Sequence, residues 1–444
     1  MRPQLSEESA LLLLDAFYAF LFILLSPWWL LMLATKPAFR AGFTARFALR
    51  HASIPLKESI WLHGSSAGEV DLLRPLVRLL EQRPESYSVV VSAFSISGYA
   101  AARKLFPQHC VIYFPADFSP VIKRFLRALK PRLIILVESE FWPNFISTTS
   151  KSGIPTCVLN GRMSQKSFQA HRRTHLIPWV LKKVSLLAVQ TEDDAARFRD
   201  LGIANRRITV TGNMKYDLQD RTGLQDWEQV RHTLRERHGI DMDMPVLIGG
   251  SIHLGEDQAL AWAYQRLISE GYRLRMIMVP RYPAETSAVS RALKSQDLIG
   301  SRRSELSADD IELFADSKHV LIVDTIGELK NYYAASDIAF VGGSLDFRGS
   351  NKGGHNLMEP AILGLTVMFG PHNYSFRETV RDLLDNRAGL LVHDRDEIYL
   401  RLKGLLDKPA SATDMGNWAR EVILNNQGAT DLNFALLEQY LPLS

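Results

Sequence analysis

Short apolar runs alternate with longer amphipathic segments along the chain from about residue 55 onwards. Short runs rich in Val, Ile and Leu and bounded by turn or capping residues predict β-strands. The first set of predicted strands is Ile60–Leu62, Val89–Ser92, Val111–Phe114, Leu133–Val137, Thr156–Leu159, Leu186–Gln190 and Ile208–Thr211. The second set is Val246–Gly249, Leu274–Val279, Val320–Val323, Ile338–Val341, Val367–Phe369 and Leu390–Val392. Because strands that alternate with helices pair in parallel, the pattern predicts α/β domains of the doubly wound class.

A polar stretch from Tyr216 to Asp243, mostly one charged helix, separates the two sets of strands. Its position predicts two Rossmann-like domains, preceded and followed by shorter segments. We expect an anchor with a basic flank at residues 1–50, a first domain at 51–220, a second at 221–425 and a C-terminal helix at 426–444.

The segment from Ala16 to Ala34 is almost wholly apolar and is interrupted only by Ser26 and Pro27. About 20 such residues span a bilayer, so this run predicts a single N-terminal membrane anchor. Basic residues favour the cytoplasmic side, which predicts that the rest of the chain is cytoplasmic. The basic residues that follow the run are Lys36, Arg40, Arg46 and Arg50. A cleaved signal peptide and a helix lying in the membrane interface are the alternatives.

Composition narrows the classes of function. Hydrophobic residues make up 46% of the 444 residues and the net charge is +4, which indicates a folded protein and no nucleic-acid partner. The two cysteines, Cys110 and Cys157, adjoin apolar runs and are expected to be buried and inert. The histidines show no metal-ligand spacing, and Asp241-Met242-Asp243 falls in the polar connector, so no metal is expected.

The first candidate motif follows the first predicted strand. In open parallel sheets, ligands bind beyond the carboxyl ends of the strands. Small residues at Gly64–Gly68 lead there into Glu69, at the start of the next helix. A carboxylate in this place can act as a general base towards a hydroxyl group. Simple electrostatics at a helix end is the alternative for Glu69.

Two further motifs end strands of the first domain. Glu138 and Glu140 follow a predicted strand, and in a strand-like extension they would point the same way. Lys215 follows the last strand, where a cation can offset negative charge on a phosphate. A solvated surface lysine is the alternative for Lys215.

The second domain carries phosphate-binding chemistry at the same ends of its strands. Arg281 follows a strand, and its planar guanidinium suits phosphate. The segments Asp324–Glu328 and Lys352–Pro360 offer backbone N–H groups at predicted helix starts. Glu359 lies in the first turn of its helix, where a carboxylate can accept hydrogen bonds from ribose hydroxyls. A plain glycine loop with an acid at the helix end is the alternative.

Together these segments resemble the 3-deoxy-D-manno-octulosonic acid (Kdo) transferases of lipopolysaccharide assembly, from the N-terminal anchor to about residue 425. The most specific pieces are Ser66–Val70, Glu138–Asn144, Gly212–Asp217 and Gly353–Pro360. The resemblance implies a GT-B fold, in which two Rossmann-like domains face a cleft. It also implies metal-independent, inverting transfer of Kdo from CMP-Kdo to a lipid A precursor at the inner (cytoplasmic) membrane, with no cofactor.

The resemblance assigns roles to individual residues as well. Glu69 matches the catalytic base of the family, and Glu138 and Lys215 match positions that stabilise the transition state. The positions that match CMP-binding residues are Pro280, Arg281, Ile326, Gly327, Glu328, Asn356, Leu357, Met358 and Glu359.

The chain departs from the family pattern in three places. Ser66–Val70 has alanine where the family usually has valine, Ala93–Gly98 replaces a threonine-rich loop, and Gly349–Lys352 is an apparent insertion. The donor half therefore matches better than the acceptor half. A GT-B enzyme for another nucleotide sugar and a catalytically silent, membrane-associated nucleotide-binding module are the alternative functions.

Overall fold

The chain divides into two compact units. The structure is a computed structural model that describes residues 7–47, 58–83, 87–174, 176–219, 224–306, 316–345 and 353–441. Unit 1 comprises Met1–Leu218 and Gln427–Ser444, and unit 2 comprises Gln219–Asn426. The chain therefore returns to unit 1 after completing unit 2.

The described residues form strands and helices in the following order along the chain. The strands are β1 Ser59–His63, β2 Ser88–Ala93, β3 Cys110–Tyr113, β4 Pro131–Val137, β5 Thr156–Gly161, β6 Leu186–Val189, β7 Ile208–Val210, β8 Val246–Ile252, β9 Arg275–Pro280, β10 Ile299–Arg302, β11 His319–Ile322, β12 Ile338–Val341, β13 Thr366–Phe369 and β14 Gly389–Leu391. The helices are α1 Glu7–Leu24, α2 Ser26–Thr35, α3 Pro37–Arg46, α4 Ala67–Glu81, α5 Ile96–Leu105, α6 Ser119–Leu129, α7 Pro143–Lys151, α8 Gln165–Thr174, α9 Leu176–Leu181, α10 Glu192–Asp200, α11 Leu224–Arg237, α12 Glu256–Ser269, α13 Thr286–Lys294, α14 Leu329–Ala334, α15 Met358–Ile362, α16 Arg377–Asp385, α17 Arg395–Asp407, α18 Pro409–Asn425 and α19 Ala429–Leu437.

Unit 1 is built on a parallel sheet with the strand order β3-β2-β1-β4-β5-β6-β7. All seven strands predicted for this part of the chain are present. Alternate residues of each strand enter different cores: Trp61 packs on one face of the sheet, and Ile60 and Leu62 pack on the other. Burial on both faces explains why these strands are continuous apolar runs rather than alternating patterns.

Unit 2 is built on a second parallel sheet with the strand order β10-β11-β9-β8-β12-β13-β14. The six predicted strands are confirmed, and the sequence missed β10. This strand lies at the edge of the sheet, has the sequence Ile-Gly-Ser-Arg and has no fully buried residue. An edge strand with so few apolar residues gives no hydrophobic run to detect.

The segment predicted as the anchor is bent. Among the described residues, no single helix combines the length and apolarity needed to cross a bilayer. Leu11–Leu24 and Ser26–Thr35 meet both criteria only as a pair, with a bend of 60° between them. The break falls at Leu25, and Pro27 lies in the first turn of α2, where a proline fits best.

Helix α1 is attached to helices α6 and α7 of the same unit through Asp15, a buried carboxylate with apolar residues on either side. Asp15 accepts hydrogen bonds from the backbone N–H of Ser119 (3.0 Å) and from Asn144 Nδ2 (2.9 Å), and the Ser119 hydroxyl also donates to it. Asp15 thereby caps helix α6, which begins at Ser119. Asp15 is thus a structural link between α1 and the rest of unit 1.

The C-terminal helix α19 completes the core of unit 1. Ala429, Phe434 and Leu437 join the apolar cluster under helix α4. Asp217 accepts the backbone N–H groups of Gly428 and Thr430, each at 2.6 Å, and so caps α19. The acid at the end of the Gly212–Asp217 motif therefore has a structural role.

Candidate active site

The strand order of unit 1 changes direction between β1 and β4. At such a switch point the loops after the two strands diverge, and they leave a crevice at the carboxyl end of the sheet. Glu69 follows β1, and Glu138 and Glu140 follow β4. The three predicted acids of unit 1 therefore lie at the place where this class of sheet binds ligands.

Glu69 is a half-buried acid held by its own helix start. Its carboxylate accepts hydrogen bonds from the Ser65 backbone N–H (2.8 Å) and the Ser66 hydroxyl (2.9 Å). Burial, with smaller contributions from the charges of Glu140 and Glu138, raises the pKa of Glu69 to about 7. Helix capping is therefore part of its role, as the alternative supposed. A capping role does not explain why two other acids lie near Glu69. A carboxyl group with a pKa of about 7 can accept and release a proton near neutral pH.

Two glycines near Glu69, Gly64 and Gly98, are required by close backbone approaches. A Cβ atom at Gly64 would lie 2.7 Å from the Glu69 carbonyl carbon, and one at Gly98 would lie 2.8 Å from the Ser65 carbonyl oxygen. That oxygen also accepts the backbone N–H groups of Phe94 and Ser95. The altered Ala93–Gly98 loop is thus fastened directly to the segment that carries Glu69.

Glu138 is buried and has a left-handed backbone, with φ of 59°. Strand β4 ends one residue earlier, so the expected strand-like extension through Glu138 and Glu140 is wrong. The Glu138 carboxylate forms ion pairs with Lys215 Nζ (2.8 Å) and Arg162 (3.0 Å). Lys215 is therefore not a solvated surface lysine. A strained non-glycine residue that holds two cations is typical of a functional site.

Two residues near these acids escaped the sequence analysis. Arg162 follows β5 directly, a position that the rule on strand ends could have identified. His63 is fully buried at the end of β1, and its Nε2 lies 3.4 Å from Glu140. The His63 ring stacks on Phe114 with a centroid distance of 3.9 Å. Because Glu140 also accepts from Trp142 Nε1 (2.6 Å), it is held in place at the switch point.

In unit 2 the strand order changes direction between β8 and β12. Glu256, a buried acid that the sequence analysis missed, joins the loops after these two strands. Its carboxylate accepts four backbone N–H groups, those of His253, Gly343, Ser344 and Leu345, at 2.9 to 3.0 Å. Four such bonds satisfy the buried charge and fix both loops.

Pro280 and Arg281 lie beside this switch point. Pro280 is buried at the end of β9, and Arg281 is exposed and donates its backbone N–H to Ile252 (2.9 Å). The predicted phosphate ligand is therefore carried on a fixed backbone with its guanidinium exposed.

The predicted segment at residues 326–328 begins a helix of one and a half turns. Ile326 is 89% exposed, Gly327 has φ of 93°, and Glu328 precedes α14 and accepts from the Thr325 hydroxyl. Helices α14 and α15 have only six and five residues. The field of a helix dipole is small in such short helices, so any anion contact here depends on individual N–H groups.

The two glycines of the unit 2 glycine loop adopt a left-handed backbone. Gly353 and Gly354 have φ of 98° and 74°. A Cβ atom at Gly354 would lie 1.9 Å from Asn373 Oδ1, so only glycine fits. The Gly349–Lys352 insertion lies outside the described residues.

The segment after this loop is well ordered by its own contacts. Asn356 donates from Nδ2 to Glu359 (3.1 Å) and accepts the Met358 backbone N–H (3.1 Å). Leu357 and Met358 are buried, whereas Asn356 and Glu359 are half-buried. The two polar side chains are thus the ones that a ligand can reach.

In each of the two units, acids, cations or glycine loops gather at the switch point of a parallel sheet. This arrangement, together with a structural similarity to the solved MurG of Acinetobacter baumannii, defines the fold class of the chain. The structural match covers 86% of this chain and all of that one, with a TM-score of 0.54 at 13% identity. The fold is that of the GT-B glycosyltransferases.

The chain belongs to the 3-deoxy-D-manno-octulosonic acid transferase family. Residues 40–218 match the family model described as 3-deoxy-D-manno-octulosonic-acid transferase (kdotransferase). The Haemophilus influenzae transferase of this name is 32% identical over 93% of this chain and 94% of its own length. The Chlamydia pneumoniae transferase is 30% identical over 95% of this chain and 94% of its own length.

Proposed function

We propose that this protein transfers Kdo from CMP-Kdo to a lipid A precursor by a metal-independent, inverting displacement. The observation that carries the proposal is the carboxyl of Glu69, which stands at the unit 1 switch point with a pKa of about 7. Membership of a family of Kdo transferases supports the choice of sugar.

In the reaction, an acceptor hydroxyl attacks the anomeric carbon of Kdo from the face opposite the phosphate. Its proton passes to Glu69, because a base with a pKa near the working pH accepts a proton most effectively. The bond from the anomeric carbon to the phosphate oxygen breaks, and its electron pair leaves with CMP. No metal is needed for any of these transfers.

Lys215 and Arg162 supply positive charge that stabilises the transition state, and Glu138 positions both cations. Glu138 holds the two cations in fixed positions, as its 2.8 and 3.0 Å contacts indicate. Lys215 is only 25% exposed, so little water screens its charge. A fixed cation stabilises the negative charge that develops on the leaving group without a cost of reorganisation.

The donor nucleotide is bound by unit 2 in this proposal. Arg281 contacts the phosphate, and the Asn356–Glu359 segment and Ile326–Glu328 hold the cytidine. Asn356 Nδ2 donates to Glu359 Oε1 (3.1 Å) and so orients the half-buried carboxylate that the proposal assigns to the ribose hydroxyls.

We further propose that the N-terminal helices bind the cytoplasmic face of the inner membrane, where the lipid acceptor is found. Helices α1 and α2 expose large apolar side chains, which water disfavours. These are Leu12, Leu13, Phe17, Phe20, Phe22, Ile23, Leu24, Trp28, Leu30 and Leu31. Because Asp15 links α1 to unit 1, membrane binding would hold Glu69 at a fixed distance from the bilayer.

The test is the release of CMP by the full-length protein mixed with CMP-Kdo and a lipid A precursor. We expect turnover by the wild-type protein and a loss of more than about 100-fold in Glu69→Ala, in line with removal of a general base. CMP binding, measured by calorimetry, should not change in this variant. Glu81→Ala, at the other end of the same helix, is the matched control and should keep full activity.

Two outcomes would contradict the proposal. Turnover with a UDP-sugar but not with CMP-Kdo would indicate a GT-B enzyme for another donor. Binding of CMP without transfer to any acceptor would indicate a nucleotide-binding module.

A further inference from the structure

Two histidines at the unit 2 switch point form a pair that has no role in the account above. His253 follows β8, and His355 belongs to the glycine loop before α15. Their Nε2 atoms are 2.9 Å apart. A Cβ atom at Gly343 would lie 3.0 Å from the His355 ring and 3.5 Å from the His253 ring, so the missing side chain makes room for both.

The two rings meet head to head rather than face to face. Their planes are 12° apart and their centroids are 5.2 Å apart. The centroid distance exceeds the distance between the nitrogens by about two ring radii, so both Nε2 atoms lie on the line that joins the rings. This geometry is that of a linear N–H···N hydrogen bond.

The geometry also shows what lies between the rings. A metal bound to both nitrogens along this line would hold them about 4 Å apart, since zinc–nitrogen bonds are about 2.0 Å long. At 2.9 Å only a proton fits between them. One ring therefore donates and the other accepts, and each ring must adopt the tautomer opposite to that of its partner.

The groups around the pair connect it with the proposed phosphate site. Burial, together with the charges of His253 and Arg281, lowers the pKa of His355 to about 4. Arg281 is the proposed phosphate ligand, and the residue after His355 begins the proposed nucleotide segment. Glu256 faces the pair through the backbone N–H of His253, and the Tyr282 ring lies 5.9 Å from the His253 ring.

We propose that His355 donates a hydrogen bond from Nδ1 to the leaving phosphate of the donor, and that His253 is a positioning residue. In this assignment His253 donates from Nε2 to His355 Nε2, which leaves the only ring proton of His355 on Nδ1. Among the described residues, Nδ1 of His355 has no hydrogen-bond partner. The inference rests on the proposed donor.

The hydrogen bond strengthens during the reaction without a net proton transfer. When the anomeric carbon–oxygen bond breaks, its electron pair adds negative charge to the phosphate oxygen, and a donor aimed at that oxygen is worth more in the transition state. His355 keeps its proton, and the proton of the acceptor goes to Glu69. A neutral donor stabilises this charge and still allows CMP to leave.

The tautomers can be measured on the full-length protein without any ligand. Ring nitrogen NMR of histidine-labelled protein should show the Nδ1–H form for His355 and the Nε2–H form for His253, with His253→Gln and His355→Asn used for assignment. The reverse pair of tautomers, or a doubly protonated His355 at neutral pH, would overturn the proposal. This measurement does not depend on the identity of the sugar.

Matched substitutions test the function of each nitrogen. An asparagine amide N–H lies near the place of Nδ1, and a glutamine amide near that of Nε2. We expect His355→Gln to lower kcat about 100-fold, within the range for loss of one oxyanion donor, and His355→Asn to lower it much less. His253→Gln should stay near wild type, whereas His253→Ala should lower kcat with KM little changed. The exposed His393→Asn is the control.

CMP itself is the probe for binding, because it carries the phosphate after transfer. Calorimetry should show about tenfold weaker CMP binding in His355→Gln than in His355→Asn, a difference of about 1.4 kcal/mol. Equal effects of the two substitutions on kcat and on CMP binding would overturn the proposal. If the two variants differ in CMP binding as expected but the wild-type protein does not turn over CMP-Kdo, the identity proposed for the donor is wrong and the role proposed for His355 stands.

Discussion

At the scale of single residues, the site depends on environments that change the chemistry of ordinary side chains. Glu69 is a capping acid by sequence, and burial together with two neighbouring acids gives it the pKa of a base that works near neutral pH. The sequence identified this acid because it follows a strand. The raised pKa was beyond prediction, since it depends first on burial in the folded chain and then on the charges of Glu140 and Glu138, which come from a distant part of the sequence.

The first prediction at this scale concerns the pH dependence of the rate. A general base works only when it is deprotonated, so we expect kcat/KM to rise with pH below about 7 and to level off above it. Initial rates of CMP release between about pH 5 and pH 8 measure this curve. A flat profile over that range would show that Glu69 is not the titrating base.

The same shift predicts an effect on stability. The folded state retains the Glu69 proton up to about pH 7, whereas the unfolded chain releases it near the ordinary value of 4.5. The contribution of this group to stability therefore falls as the pH rises through that window. Thermal melting should show that Glu69→Gln stabilises the protein more at pH 8 than at pH 4. An unchanged difference between the two pH values would contradict this.

At the scale of elements, the strands were easier to predict than the loops that carry the chemistry. Apolar runs revealed every strand except β10, because a fully buried strand leaves a continuous hydrophobic signal. The left-handed backbone at Glu138 and the four-fold hydrogen bonding of Glu256 leave no such signal. Both depend on loops that meet only in the folded sheet.

A substitution in the glycine loop tests how tightly that loop is packed. Gly354→Ala adds a Cβ atom 1.9 Å from Asn373 Oδ1 at a φ of 74°. We expect a loss of about 2 kcal/mol or more in the free energy of unfolding, and weaker CMP binding. Gly404→Ala is the control, because its Cβ atom meets nothing within 4 Å in helix α17. That change should stabilise by up to about 1 kcal/mol. Equal effects of the two changes in urea unfolding would be inconsistent with the packing described.

The link between α1 and unit 1 can be tested in the same way. Asp15→Ala removes the acceptor for Ser119 and Asn144, so we expect a loss of about 1 to 2 kcal/mol, as for other lost helix caps. Limited proteolysis should then cut between α1 and unit 1 faster than in the wild type. Asp200→Ala, on the exposed end of α10, should leave the cleavage rate unchanged. Equal cleavage rates in Asp15→Ala and the wild type would show that the link does not hold α1.

At the scale of the whole molecule, the sequence predicted two doubly wound domains and the break between them. It placed residues 426–444 apart as a separate helix. In the structure Gln427–Ser444 belong to unit 1, and their contacts with Asp217 and the α4 cluster come from residues more than 200 positions away. A pattern read along the chain does not contain such a contact.

Removing residues 427–444 should therefore weaken unit 1 and leave unit 2 intact. The truncation uncovers the apolar surface under α4 and leaves Asp217 without the N–H groups that it caps. Hydrogen exchange should speed up in β1, β2 and α4, whereas β8, β9 and β12 should keep their protection. Equal loss of protection in both sheets would show that the two units do not unfold separately.

The return of the chain to unit 1 has a consequence for synthesis on the ribosome. Most of unit 1, including Glu69, emerges first, but its core lacks the apolar side chains of α19 until that helix leaves the exit tunnel. Unit 2 lies wholly within the intervening segment and can reach its final form earlier. Prematurely terminated chains would thus contain a finished unit 2 and an unfinished unit 1, a form that quality-control proteases can recognise by its uncovered apolar surface.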